Sequence, residues 1–232
     1  MFLRQLYDSE SSTFTYLVAD EATRKAALID PVREALARDT ALVRELGFEL
    51  TYVLETHVHA DHVTSAGALA ELTGAVTAAS PLGAECATRR LRHGDVLELG
   101  QLEIKALATP GHTKDSLSFL IGDNVFTGDA LFVRGTGRTD FQSGDAGELY
   151  DSITKTLFSL PDSTKVWPGH DYRGHTQSSI GEEREHNPRL AGKSREDFVR
   201  IMSELRLAPP KKIHEAVPAN LACGRALSTA SA

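Results

Sequence analysis

The segment from Thr56 to His62 carries the residue types and the spacing of a metal site. Three histidines and one aspartate stand within six consecutive positions: His57, His59, Asp61 and His62. Imidazole nitrogens and carboxylate oxygens are ligands that suit zinc and iron. Because the segment follows the apolar run 50–54, it predicts a turn at a strand end that aims alternate side chains, first His57 and His59, at one ion.

Three further residues of ligand type occur in the same setting later in the chain. His112, Asp129 and His170 each follow a short apolar run with a glycine or proline beside it. In layered α/β folds, ligands gather at the carboxyl ends of strands, where loops fill the space. A lone histidine or aspartate is more often structural, but four strand ends that agree indicate one metal site.

The order and spacing of these motifs resemble the metallo-β-lactamase superfamily. The motifs are Thr-His-x-His-x-Asp-His at 56–62, Gly-His-Thr at 111–113, Gly-Asp at 128–129 and Pro-Gly-His at 168–170. Five segments are similar to the persulfide dioxygenase branch of that superfamily: Arg138-Thr139-Asp140-Phe141-Gln142, His170-Asp171-Tyr172, Glu182-Glu183-Arg184, Asn187-Pro188-Arg189-Leu190 and Val217-Pro218-Ala219-Asn220. The resemblance extends from Phe2 to about Gly224.

This resemblance implies a mononuclear non-haem Fe(II) enzyme that oxidises glutathione persulfide with dioxygen to sulfite and glutathione. It implies one iron per chain, held by His57, His112 and Asp129 as a facial triad that leaves other positions open. Four more residues would then be catalytic, orienting the ligands or exchanging protons: His59, Asp61, His62 and His170. The same four are the additional ligands of two-metal hydrolases in the superfamily, so the single iron rests on the resemblance alone.

The resemblance also implies which residues bind glutathione. Glutathione carries two carboxylates and an ammonium, so its pocket should offer arginine forks and hydrogen-bonding side chains. Arg138, Tyr172 and Arg189 are the expected contacts, and Asn220 is a weaker candidate. The arginines also allow a structural interpretation, because Arg138 can pair with Asp140 in its own loop and Arg189 can be a solvated charge at a helix end.

The net charge of the chain limits the classes of partner that we expect it to bind. The chain has 232 residues and a formal net charge of −7, which argues against nucleic acid or an anionic membrane as the main partner. No run reaches the length of a membrane span, and the N-terminal segment has the pattern of neither a secretory signal nor a transit peptide. We therefore expect a cytoplasmic enzyme or an already processed form, and the resemblance suggests a homodimer.

The composition is uniform along the chain, and this bears on the number of domains. We expect a single domain over 1–232, with 228–232 as a frayed tail, because no linker or composition change divides the chain.

The chain has two cysteines. Cys86 and Cys223 lie far apart and form no Cys-x-x-Cys pair. The sequence therefore suggests neither a disulfide scaffold nor a thiolate zinc site, and we interpret both cysteines as small buried hydrophobes.

The elements that position the candidate residues follow from hydrophobic periodicity. Strands are predicted at 13–18, 26–29, 50–54, 76–79, 96–99, 102–107, 117–121 and 125–127. Helices are predicted from Pro31 to a cap at Gly47 and at 63–72, 81–89, 147–160, 179–187 and 194–205. This pattern alone indicates a mixed α/β protein. The resemblance implies the α+β class and a four-layer αββα sandwich.

Two other functions remain open at this point. The first is a hydrolase of the glyoxalase II type, in which two metals activate a water against a glutathione thioester. The C-terminal segments around Arg189 and Asn220 depart from that type. The second is a non-enzymatic metal-binding or redox-sensing protein, which would not need both a full ligand set and a glutathione pocket.

Overall fold

Two six-stranded sheets form the centre of the molecule in the computed structural model, which describes residues 1–210 and 212–225. The first sheet has the order β1-β2-β3-β4-β5-β6: Phe2–Asp8, Thr13–Ala19, Lys25–Ile29, Glu49–Leu54, Val76–Ala79 and Arg89–Arg90. The second has the order β12-β11-β10-β9-β8-β7: Ser178–Ser179, Lys165–Pro168, Asn124–Gly128, Leu117–Ile121, Leu102–Ala108 and Val96–Leu99. The expected tail at 228–232 lies outside the described residues.

The inner faces of the two sheets pack together and form the main core. The central strands also carry apolar side chains on their outer faces, which helices cover. In β2, Tyr16 and Val18 point inward to meet Phe119 and Phe126 of the second sheet. Leu17, between them, points outward and packs beneath helices. Strands that are buried on both faces need apolar residues at every position, and this explains the continuous apolar runs in the sequence.

Helices cover the outer face of each sheet. The bounds are α1 Leu36–Glu45 after a 3₁₀ turn at Arg33–Ala35, α2 Ala66–Thr73, α3 Ala146–Asp151, α4 Ile180–His186, α5 Arg195–Glu204 and α6 Ile213–Leu221. Val43 and Leu69 pack on the first sheet, whereas Leu149 and Phe198 pack on the second. The four layers are those of the predicted αββα sandwich.

Most predicted elements are present, but the structure differs from the prediction in several places. The segment 81–89 is not a helix but a run of turns, in which Gly83 packs so closely on Asp115 that a Cβ atom would lie 2.6 Å from its Oδ2. The helix predicted at 147–160 is regular only over α3 and continues as a π-helical segment, Ser152–Thr156. Strand β1, the two-residue strands β6 and β12, and helix α6 are not among the predicted elements. Within the described chain, no helix is both long and apolar enough to cross a bilayer.

The interpretation of the two cysteines is wrong. Cys86 and Cys223 form a disulfide bond across a sequence separation of 137 residues. The bond joins the 81–89 turns to the end of α6. Separation along the chain gives no information about proximity in the fold, and neither the turns nor α6 was foreseen, so the sequence offered no reason to pair the two residues.

The carboxyl ends of the parallel strands meet at one edge of the sandwich. β3 and β4 are parallel neighbours in the first sheet, and β10 and β11 are parallel neighbours in the second. At this edge the backbone N–H of Leu117 donates to the carbonyl of Thr56 at 2.7 Å, and that of Phe14 donates to Gly169 at 2.8 Å. The loops that follow these strands are therefore held face to face.

Candidate metal centre

His57, His112 and Asp129 come together at this edge, as the sequence predicts. Each offers one ligand atom, and the three atoms lie within 4.8 Å of one another. Nε2 of His112 lies 3.5 Å from Oδ2 of Asp129, and the ring centroids of His57 and His112 are 4.9 Å apart. Asp129 can reach this position because Gly128 before it adopts a positive φ of 48° and packs against Thr56 where a Cβ would clash.

Hydrogen bonds fix the two imidazole rings with Nε2 facing the centre. Nδ1 of His112 donates to the carbonyl oxygen of Arg138 at 2.6 Å. Nδ1 of His57 lies 2.9 Å from Oγ1 of Thr56, whose hydroxyl donates to Asp30 at 2.8 Å, so the ring nitrogen is the donor. Partners of this kind set the tautomer of metal-binding histidines and leave the other nitrogen free to bind the ion.

The three residues fit a divalent cation. Burial and the neighbouring imidazoles of His59 and His112 hold the pKa of His57 well below its ordinary value, which keeps its ring neutral, as metal ligation requires. Oδ1 of Asp129 is buried without a hydrogen-bond partner among the described residues. A buried carboxylate oxygen with no donor is costly, and a cation at this position would satisfy it.

A second group of ligand-type side chains adjoins the first. His59, Asp61 and His62 also offer ligand atoms within 4.8 Å of one another. His170 lies beside both groups, with Nε2 3.7 Å from Oδ2 of Asp61 and 3.5 Å from Oδ1 of Asp129. Burial raises the pKa of the Asp61 carboxyl, but the nearby His62 and His170 more than offset this and hold it well below its usual value.

Behind this second group lie two carboxylates that the sequence motifs do not indicate. Nε2 of His59 is 3.2 Å from Oδ1 of Asp30 and 3.3 Å from Oε2 of Glu55. Burial lowers the pKa of His59, yet these two charges outweigh it and raise the pKa well above the ordinary histidine value. Asp30 directly follows β3, so the strand-end argument applied to Asp129 would have identified it.

The metal candidates open onto a cavity of about 480 Å³. Three of the four residues predicted to bind glutathione line it: Arg138, Tyr172 and Arg189. The ring of Tyr172 stacks on His170, with centroids 5.9 Å apart and 8° between the planes, and the tyrosine is 70% exposed. Although the side chain as a whole is exposed, loss of water around its hydroxyl in the cavity, followed by the charges of Asp129 and Asp61, raises the Tyr172 pKa above the ordinary tyrosine value, so the hydroxyl stays protonated.

The two predicted arginines differ in how much of the guanidinium is free. All three nitrogens of Arg138 already donate, to the Asp140 carboxylate at 2.6 and 2.8 Å and to the carbonyl of Ala208 at 2.6 Å. Arg189 donates only through Nη1 to described groups, chiefly to the carbonyl of Thr136 at 2.8 Å. Arg189 therefore has more N–H groups to offer an anionic ligand.

Asn220, the fourth predicted contact, does not line the cavity. Its side chain is 3% exposed, and every polar group of its amide is engaged by backbone atoms of 59–64. The structure thus separates it from the other three residues. The sequence could not show this, because α6 was not predicted.

An ion pair supports the far wall of the cavity. Nη1 of Arg134 donates to the fully buried Glu183 at 2.6 Å, and the same carboxylate accepts from the backbone N–H of Arg134 at 2.8 Å. Ser178 and Asn187 donate to it as well, at 2.6 and 2.9 Å. In the sequence, Glu183 stands out only as part of the motif Glu182-Glu183-Arg184. Arg134 was missed because its position after Ala130–Val133 carries no motif.

Comparison with known proteins agrees with this geometry. The family model described as metallo-beta-lactamase superfamily matches residues 9–85 and 87–170. Human mitochondrial persulfide dioxygenase ETHE1 is 45% identical over 233 residues, which cover 99% of this chain and 91% of the human protein. The chain belongs to the persulfide dioxygenase family of the metallo-β-lactamase superfamily.

Two further relatives refine the assignment. The crystal structure of ETHE1 from Myxococcus xanthus superimposes with a TM-score of 0.96 at 62% identity, over 97% of this chain and 100% of that one. A hydroxyacylglutathione hydrolase-like protein of mouse is 38% identical, but over 179 residues that cover 72% of this chain and 59% of the mouse protein. The persulfide dioxygenases are thus similar over more of the chain and at higher identity, and the hydrolase alternative is not favoured.

Proposed function

We propose that this protein is a glutathione-persulfide dioxygenase, with one Fe(II) per chain held by His57, His112 and Asp129. The observation that carries the proposal is the position of these three side chains beside a cavity lined by four arginines: Arg134, Arg138, Arg173 and Arg189. A cluster of this charge inside a chain of net charge −7 suits an anionic ligand such as glutathione. Membership of the persulfide dioxygenase family supports the reaction.

The overall reaction balances without another reductant. One persulfide, one dioxygen and one water give one thiol, one sulfite and two protons, and the outer sulfur is oxidised. Bound Fe(II) would supply the redox chemistry that activates dioxygen and a positive charge that attracts the persulfide anion.

Side chains around the cavity orient the substrate and handle protons. Arg189 is the expected partner of a glutathione carboxylate, because most of its N–H groups face no other described acceptor. Phe132 and Leu207 give part of the wall an apolar surface that limits water. Nδ1 of His170 donates to the carbonyl of Ser12 at 3.1 Å, so Nε2 faces the cavity side and can exchange a proton there.

The alternative, which the comparisons do not favour, is a two-metal hydrolase of glutathione thioesters, and a second group of ligand-type residues is the reason to test it. His59, Asp61 and His62 form a second group with metal-ligand spacing next to the first. The two functions differ in the metal they need, because zinc has no accessible redox change but does activate water.

Oxygen uptake and thioester hydrolysis, measured on iron-loaded and zinc-loaded protein, test the proposal. We expect the iron form to consume oxygen and release sulfite in step with glutathione persulfide, and the zinc form to consume none. Hydrolysis of S-lactoylglutathione by the zinc form, with no oxygen uptake by the iron form, contradicts the proposal. The compartment and the oligomeric state stay predictions from the sequence, namely a cytoplasmic enzyme and a homodimer.

A further inference from the structure

The loop that carries four of the ligand-type residues, 56–64, is fastened by side chains from distant parts of the chain. We call it the ligand loop. Three of these distant side chains hold the backbone in the first half of the ligand loop. Oδ1 of Asp30 accepts from the N–H of Thr56 at 2.7 Å, Oδ2 of Asp115 accepts from the N–H of Val58 at 2.8 Å, and Nε2 of Gln142 donates to the carbonyl of Val58 at 2.7 Å.

Among the described residues, one side chain from outside the ligand loop bonds to the backbone of its second half, that of Asn220 in α6. Its Nδ2 donates to the carbonyl of His59 at 2.9 Å and to the carbonyl of His62 at 2.8 Å. Its Oδ1 accepts from the N–H of Thr64 at 2.8 Å. An amide has two donor hydrogens and one acceptor oxygen on a single rigid plane, and all three are used here.

Neither alanine nor aspartate reproduces this pattern. Alanine leaves two buried carbonyl groups and one buried N–H without partners. Aspartate keeps the acceptor for Thr64 but turns a second acceptor toward the carbonyls of His59 and His62. Because a buried polar group without a partner is costly, either change should shift the backbone of the loop.

Helix α6 is itself anchored, so Asn220 is a fixed support. The carbonyl of Cys223 accepts from the N–H of Gly67 in α2 at 2.9 Å, and the disulfide to Cys86 ties the same residue to the 81–89 turns. At the other end, Lys212 forms an ion pair with Glu10 at 2.8 Å. The end of α6 therefore cannot move without disturbing both helix α2 and the turns.

We propose that Asn220 is a positioning residue for the metal centre, which fixes the backbone of His59 and His62 and makes no contact with the substrate. This inference rests on the metal-binding part of the proposed function and not on the oxidation. It also replaces the role that the family resemblance implied for this residue. Side chains that orient a metal site from outside its ligands typically contribute about 10- to 100-fold in metal affinity or activity.

The test is the rate at which a chelator removes iron from the purified holoprotein. In Asn220→Ala and Asn220→Asp we expect this rate to rise about tenfold or more, while the KM for glutathione persulfide stays close to that of the unaltered enzyme. The matched control is Asn124→Ala, which removes another buried asparagine, one that accepts from Nε1 of Trp167 at 2.9 Å at the start of β10. The control should lower thermal stability without changing iron release.

Two results would overturn the inference. A raised KM with unchanged iron release would make Asn220 a substrate contact. Reduced thermal stability with iron release unchanged in both Asn220 variants would make it an ordinary core residue. If Asn220→Ala does not fold, Asn220→Asp, which keeps the side-chain volume, decides the matter. Iron release is measured without turnover, so failure of the proposed oxidation is a separate result.

Discussion

The carboxylate of Asp129 faces two different histidines with its two oxygens. Oδ2 lies 3.5 Å from Nε2 of His112, and Oδ1 lies 3.5 Å from Nε2 of His170. The carboxylate therefore lies between the group formed with His57 and His112 and the group that contains Asp61. A carboxylate in this position can hold one ion or bridge two, so the number of metals decides the chemistry.

The first prediction concerns metal content. We expect about one iron per chain in protein produced without added zinc, and none in Asp129→Ala, because that change removes the only anionic ligand of the triad. Elemental analysis of both proteins measures this. Two zinc ions per active chain, or full iron content in Asp129→Ala, would reject the assignment of the triad.

The second prediction concerns Arg189. Replacing it with alanine should raise the KM for glutathione persulfide about ten- to a hundred-fold, which corresponds to a lost charged hydrogen bond of about 1.5–3 kcal/mol, with iron content unchanged. Steady-state kinetics at saturating oxygen measure the effect. Arg200→Ala, which removes an exposed arginine paired with Asp197, is the control and should behave like the unaltered protein. Unchanged kinetics in Arg189→Ala would exclude this residue from the substrate site.

How far the sequence predicted this site depends on whether a residue follows a strand. His57, His112, Asp129 and His170 all follow strands that apolar runs reveal, and the fold brings them together because parallel strands end at the same edge. The supports of the site were missed for the opposite reason. Asp115 and Asn220 act through backbone atoms of a loop far away in sequence, and no local pattern records such a contact.

The prediction of the fold was likewise accurate where local sequence determines the structure, and wrong where contacts with distant residues determine it. Strands buried on both faces were predicted closely, since their apolar residues have no other explanation. Helix α6 was missed because Pro218 interrupts a weak helical pattern, and its position is fixed by tertiary contacts and a disulfide. The 81–89 segment has helix-forming residues, but its Gly83 is needed for close packing on Asp115, which propensity does not register.

The third prediction concerns the buried carboxylate of Glu183. Four donors point at it, including the guanidinium of Arg134 at 2.6 Å. Glu183→Gln turns an N–H₂ group toward some of these donors, whereas Arg134, which is partly exposed, keeps its second ion pair with Glu182. We expect a loss of about 1–3 kcal/mol in the free energy of unfolding, the cost of buried donors without an acceptor. Denaturant titration measures it.

Glu185→Gln is the matched control for that experiment, because it removes the charge of a 76% exposed glutamate on the same helix. Its free energy of unfolding should change by less than about 0.5 kcal/mol. Equal effects of the two substitutions would show that the ion pair between Arg134 and Glu183 does not stabilise the fold.

The fourth prediction concerns the pH dependence of stability. Burial raises the pKa of Asp39 in α1 above the ordinary aspartate value, and its Oδ2 has no hydrogen-bond partner among the described residues. The folded chain therefore binds this proton more tightly than the unfolded chain, in which the pKa is about 3.9. The contribution of Asp39 to stability is most favourable below that pH and declines as pH rises through the folded-state pKa.

Asp39→Asn should accordingly be more stable than the unaltered protein at neutral pH, and the difference should shrink toward acid pH. Urea unfolding over a pH series measures both curves. Glu45→Gln, at an exposed position of the same helix, is the control and should show no such pH-dependent difference from the unaltered protein. A variant that is less stable than the unaltered protein at neutral pH would show that the charge of Asp39 is needed by its 2.7 Å contact with Arg38.

The last prediction concerns the disulfide between Cys86 and Cys223. It closes a long loop, with 137 residues of sequence separation, and anchors the end of α6 that carries Asn220. Cross-links of this kind typically contribute about 2–4 kcal/mol, mainly by restricting the unfolded chain. We expect Cys86→Ser to lower the free energy of unfolding by that amount under non-reducing conditions. In the presence of dithiothreitol the two proteins should unfold alike, since the bond is then absent from both. Mass spectrometry after alkylation of free thiols shows whether the bond is formed. A protein that is alkylated at both cysteines before reduction, or a Cys86→Ser variant as stable as the unaltered protein without reductant, would contradict the prediction.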